Sequence, residues 1–274
     1  MTPVRLTRRN AVVLTLASAA ALAAFVWPLL IAPEQDQSRV SPFLFVAVLP
    51  VLAIVAVAEV AAHGLDAKTI AMLGVLSAID AVLRPLGAGT VGVETVFFML
   101  VLAGRVFGPG FGFLLGSTSM FASALLTAGV GPWLPYQMLA ASWVGLGAGL
   151  LPGRVRGRAE IAMLAGYGIV AAYGFGFLMN MSFWPFALGA DTQLSYVAGA
   201  PVLENLHRFV VFTAVTSTLG WDTGRAITNV LAIALLGPAI LVALRRAARR
   251  AAFAAPVTFV EESAVMPAVD GATR

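Results

Sequence analysis

The chain alternates between long apolar runs and short breaks built from arginine, glycine and proline. Apolar runs occupy residues 11–31, 42–62, 69–86, 95–106, 111–128, 133–151, 161–179 and 226–244. Most approach the ~20 apolar residues that carry a helix across the hydrocarbon core of a bilayer. The pattern predicts an all-α, polytopic membrane bundle. Residues 1–67 form an N-terminal pair of transmembrane helices, residues 68–250 a six-helix core, and residues 251–274, which lack any hydrophobic period, a disordered tail.

The breaks carry as much information as the runs. Arg5, Arg8 and Arg9 precede the first run, and Ala21-Leu22-Ala23 has the small residues of a signal-peptide cleavage site. The run is longer than a signal peptide needs, so it is expected to stay as a signal-anchor helix. Pro50 is expected to kink the second run. The most elaborate break is the corner Gly131-Pro132-Trp133-Leu134-Pro135-Tyr136-Gln137. It combines a rigid turn, two aromatics and one amide able to donate and accept.

Composition strengthens the membrane assignment. Of 274 residues, 60% are hydrophobic and 11% charged, against about 25% charged in soluble domains. The mean hydropathy is +0.92. The net charge of +4 points to no nucleic-acid partner, because the arginines gather at helix ends. That is the positive-inside pattern. Arg154, Arg156 and Arg158, and the terminal Arg245, Arg246, Arg249 and Arg250, are therefore expected in the cytoplasm. With both termini inside, the corner and residues 181–208 fall on the outer face. Residues 209–219 are too short to cross at ~1.5 Å per residue. They are expected to form an outer interfacial or re-entrant helix, so that residues 181–219 make an outer loop or lid. One lysine against sixteen arginines suggests a GC-rich bacterium and hence a bacterial plasma membrane.

The chemistry the sequence lacks narrows the function. No cysteine is present, which excludes disulfides and thiolate metal sites. There is no G-x-x-x-x-G-K-[ST] loop for ATP and no H-E-x-x-H. His63 and His207 are expected on opposite sides of the membrane, so no metal site, cofactor or enzyme activity is expected. Asp80 and Glu59 are the main intramembrane carboxylates, and no inverted repeat is evident. Asp80 and Arg84 stand four apart on one helix face, as an internal salt bridge or as a substrate contact.

Residues 68–250 resemble the substrate-binding S components of energy-coupling factor (ECF) vitamin transporters. The resemblance rests on the small-residue spacing Gly74-x-x-x-Ala78 and the Gly108-Pro109-x-x-Gly112 helix start. It extends to the corner Gly131–Met138, to Leu151-Pro152-Gly153 followed by arginines, and to a final helix with Gly220-Trp221-Asp222, Asn229 and Gly237-Pro238. It implies capture of a vitamin-like molecule outside the cell and delivery inward with a transmembrane coupling subunit and two ATP-binding subunits. The Gly74/Ala78 face would dock the coupling subunit. The competing expectation is a non-transport membrane protein such as an assembly factor or sensor.

An outside ligand must be reached by outer helix ends. The candidate substrate-binding residues are therefore Trp133, Tyr136, Gln137, Asn180, Trp184, Trp221, Asp222 and Asn229. The aromatics serve equally well as an interfacial belt, and Asn229 as a bond to another helix. The mix is neutral and aromatic rather than phosphate-binding. Among family substrates a cobalamin-like corrinoid is the first expectation, with a pyrimidine-type thiamin precursor or another B vitamin as alternatives.

Overall fold

A computed structural model describes residues 8–30, 67–87, 92–187 and 192–250, together with positions 50, 54, 57, 58 and 90. Every regular element among them is helical. In chain order they are α1 (Arg8–Phe25), α2 (Trp27–Leu30), α3 (Ala67–Leu83), a 3₁₀ turn (Arg84–Gly87), α4 (Val96–Phe107), α5 (Pro109–Leu126) and α6 (Leu134–Leu150). The long α7 (Gly157–Ala187) follows, then α8 (Val202–Thr213), a π-wound stretch (Ala214–Asp222), α9 (Thr223–Leu235) and α10 (Gly237–Arg250). The expected second span, residues 42–62, lies outside the described residues apart from positions 50, 54, 57 and 58, and so does the tail at 251–274.

The bundle is organised around α4. Ten of its twelve residues are buried, from Val96 to Gly104 and again at Phe107. At ~1.5 Å per residue it rises only ~18 Å, but it touches protein on all sides. The seam around it is made of glycine. A Cβ on Gly112 would stand 2.2 Å from the Gly145 carbonyl oxygen, and one on Gly104 would stand 2.3 Å from the same atom. Backbones of α4, α5 and α6 thus touch directly, the close approach that small residues permit in lipid. At the α4–α5 junction Gly108 takes φ +96° and Pro109 opens α5, where its missing N–H costs nothing.

Apart from the second run, which lies outside the described residues, the helices expected from the apolar runs are present, with three boundary corrections. The first run breaks at Val26, because Pro28 lacks an N–H and crowds the carbonyl of Ala24. The seventh run, expected to stop at Asn180, continues to Ala187. Residues 209–219 are not a separate short helix. They belong to a continuous helical rod, Val202–Leu235, that bends by 66° into Gly237–Arg250. Gly220 does not interrupt it, because i→i+5 bonding such as Thr223 N–H to the Thr218 carbonyl carries the chain through. Pro238 makes the bend instead, so the terminal arginines lie on a helix turned away from the span.

Ala67–Gly87, Pro109–Leu126 and Gly157–Pro185 are long and apolar enough to cross a membrane, and the bent pair makes a fourth. The N-terminal helix is part of the core. Phe25 and Ala21 are fully buried, and Trp143 Nε1 of α6 donates to Ser18 Oγ of α1 at 3.0 Å.

Candidate functional site

The corner between α5 and α6 is shaped by its own side chains. The Trp133 indole folds back so that Nε1 donates to the Gly129 carbonyl at 3.1 Å. Its ring covers Gly131, where a Cβ would lie 2.5 Å from the indole. Pro135 sits in the first turn of α6, where no donor is needed. One helical turn on, Tyr136 points inward and is 6% exposed, whereas Trp133 is 47% exposed. Gln137 Oε1 accepts from Arg84 Nη2 at 3.2 Å.

Opposite the corner stands the C-terminal end of α7. Together they enclose a cavity of about 480 Å³ lined by Pro132, Trp133, Tyr136, Met179, Asn180, Ser182 and Phe183. Three of the eight candidate residues, Trp133, Tyr136 and Asn180, meet here. The walls are mainly aromatic and apolar. Asn180 Nδ2 is buried without a hydrogen-bond partner among the described residues. An unmet amide donor inside a cavity is a place where a ligand acceptor gains more than it would in water. Two larger cavities, of about 550 and 580 Å³, are apolar grooves along α5–α6 and between α1 and α6.

The other candidates are held elsewhere. Trp184 is fully buried, donates Nε1 to the Leu194 carbonyl at 2.7 Å, and packs on Tyr196 and Phe209. It pins residues 192–201 onto α7 and does not line the cavity. Trp221 is 42% exposed. Asp222 accepts from Ser217 Oγ at 3.0 Å and from Arg225 Nη1 at 2.8 Å. Arg225 also donates to Glu94 at 2.5 Å and to the Ala172 carbonyl, and packs over the touching rings of Phe97 and Phe175. Asn229 Nδ2 donates to the Gly168 carbonyl at 3.0 Å, joining α9 to α7.

The expected Asp80–Arg84 salt bridge is not made. Arg84 precedes Pro85, which disfavours α-helical geometry at the residue before it. The helix therefore tightens into the 3₁₀ turn and the four-residue spacing no longer aligns the two groups. Arg84 turns to Gln137, and neither buried carboxylate oxygen of Asp80 makes a well-formed hydrogen bond among the described residues. Gly74 and Ala78 lie on the exposed face of α3, with nothing within 4 Å of a Cβ at Gly74.

Met179, inside the expected span, and Ser182 and Phe183, beyond its expected end at Asn180, are not among the candidates. The apolar run Met181–Ala187 was the available signal. Among the described residues no group of three histidines or carboxylates could hold a metal ion.

A family model described as ECF transporter, substrate-specific component, matches residues 68–257. Neither the curated proteins nor the solved structures contain a match to the chain.

Proposed function

The chain belongs to the substrate-specific components of ECF transporters, and from that premise we propose that it captures a neutral, ring-bearing vitamin or vitamin precursor at the outer ends of α6 and α7. The observation that carries this reading is the cavity under the corner, with its aromatic walls and the unmet Asn180 Nδ2. Trp133 and Tyr136 supply flat apolar contact, and Asn180 supplies direction. No arginine or lysine is among the described residues that line the cavity, which disfavours a phosphorylated ligand.

Its volume of about 480 Å³ suits a molecule of one or two rings. A corrinoid, with its macrocycle and nucleotide loop, is far larger, so the pyrimidine-type precursor and other small B vitamins are favoured over it. Delivery inward would require a coupling subunit and two ATP-binding subunits, with the exposed Gly74/Ala78 face as the docking surface. Thermal unfolding of the purified protein with each B vitamin and precursor is the test. A small neutral vitamin should stabilise the parent and lose its effect in Asn180→Leu; stabilisation by a corrinoid alone would overturn the assignment of ligand size.

A further inference from the structure

At the arginine-rich end of the bundle, at the opposite ends of α5 and α6 from the corner, lies a cavity of a different kind. It measures about 290 Å³ and is lined by Arg105, Val106, Gly108, Gly149, Leu151, Gly153, Arg156 and Arg245. Its guanidiniums are held in a built arrangement. Arg105, 4% exposed at its side chain, donates Nε to Glu160 at 2.7 Å, Nη1 to the Leu151 carbonyl and Nη2 to the Val155 carbonyl. Those last two bonds fix the loop that carries Arg156. Arg245 donates Nη2 to the same Glu160 oxygen at 2.7 Å from the other side.

Glu160 itself is 1% exposed and does not line the cavity. Three guanidiniums therefore face one carboxylate, leaving two positive charges in excess. Arg156 has no hydrogen bond or ion pair among the described residues, and Arg245 keeps its remaining donors. Gly108, which also lines the space, caps both the C-terminus of α4 and the N-terminus of α5, so the two helix dipoles oppose each other there and the positive charge comes from the guanidiniums.

We infer that this cavity binds the phosphate of an anionic phospholipid headgroup. The chemistry is that of a phosphodiester or phosphate anion, which arginine recognises through paired N–H donors. The lipid is favoured by what surrounds the cavity. α10 turns 66° away from the spanning rod and is strongly two-faced. Val242 is 64% exposed on it, beside exposed Arg246, Arg249 and Arg250. Arg154 and Arg158 are exposed on the neighbouring loop and helix start. The apolar face of α10, Leu241, Leu244 and Ala248, is packed in the bundle core, so α10 presents its arginines outward, and a basic cluster beside membrane spans lies at headgroup level. The cavity admits one headgroup and is too small for a segment of polypeptide. This inference does not depend on which vitamin is bound.

The test is thermal unfolding of the full chain in neutral detergent, titrated with phosphatidylglycerol, phosphatidylcholine or inorganic phosphate. Phosphatidylglycerol should stabilise more than phosphatidylcholine. Arg156→Gln, an exposed position, should weaken the apparent affinity for phosphatidylglycerol by about tenfold or more, the loss of one charge-assisted contact. Arg158→Gln, which lies outside the cavity, should retain it. Equal stabilisation by inorganic phosphate through Arg156 would make this a free-phosphate site. Equal losses in both variants would mean diffuse attraction and no site. No lipid preference, with Arg156→Gln instead impairing co-purification of the coupling and ATP-binding subunits, would make the face a protein contact. Each of these three results overturns the inference.

Discussion

Phe25 meets Tyr136 edge-on, with ring centroids 5.0 Å apart and planes at 89°. Phe25 belongs to α1, outside the residues matched by the family model, and Tyr136 lines the candidate ligand cavity. The N-terminal helix thus backs the site's inner wall. Phe25 also packs on Trp143, and α2 beyond the break carries Trp27 to within 6.3 Å of Tyr196.

Removing that support should be costly. Phe25→Ala should lower stability by about 3–5 kcal/mol, the usual loss for a buried aromatic, and should weaken ligand binding because Tyr136 is no longer held. Phe25→Leu should fall between. Thermal unfolding followed by calorimetric titration separates the two effects; an unchanged melting temperature in Phe25→Ala would refute the backing role.

The two tryptophans should part company. Trp133→Ala should weaken ligand binding by at least about tenfold while leaving folded yield unchanged, as expected when an aromatic contact worth roughly 2–4 kcal/mol is lost. Trp184→Ala should instead reduce folded yield, with a stability loss of about 3–5 kcal/mol. Comparing membrane yield with affinity for both variants checks the division, and equal behaviour would abolish it.

Arg225 has its charge balanced by Glu94 and Asp222 in a buried setting. Arg225→Met should destabilise by about 3–5 kcal/mol by leaving carboxylates unpaired. Arg225→Met combined with Asp222→Asn should cost less than the sum of the single changes, because the two share one interaction. Additive losses in a double-mutant cycle would show that the contact carries no coupling.

The exposed α3 face gives a prediction about assembly. Gly74→Leu fills open space and should leave the isolated protein folded and ligand-competent, since no atom lies within 4 Å of the new Cβ. It should abolish uptake and co-purification with the coupling subunit. Loss of ligand binding with assembly intact would move this face to the pocket.

Topology is readable in a chain without cysteine. Arg156→Cys and Gln193→Cys should react with impermeant maleimide from opposite sides of the membrane. Labelling of both cysteines from one side would refute this topology.

The existence of the helices was legible in the apolar runs, and the corner announced itself through Gly131, Pro132 and Pro135. The ends were not. Pro85 and Gly220 carry opposite lessons: the proline retuned a helix end and cancelled the Asp80–Arg84 pairing, while the glycine was passed over by a wider winding. Trp133, Tyr136 and Asn180 were found from their outer positions alone. The fate of Trp184 depended on Leu194 and Phe209, and that of Arg225 on Glu94, 131 residues away, which no local pattern reveals, whereas the Asp222–Arg225 pair stands three apart on one helix.

The length of α7 has a mechanical consequence. Its 31 residues extend ~46 Å against a hydrocarbon layer of ~30 Å. A tilt of the usual ~20° absorbs only a small part of the difference. The excess length takes the turns with Asn180 and Phe183 toward the membrane surface, where Trp184 ties them to Tyr196 and Phe209. Thickening or thinning the membrane should therefore change the height at which the cavity mouth meets water.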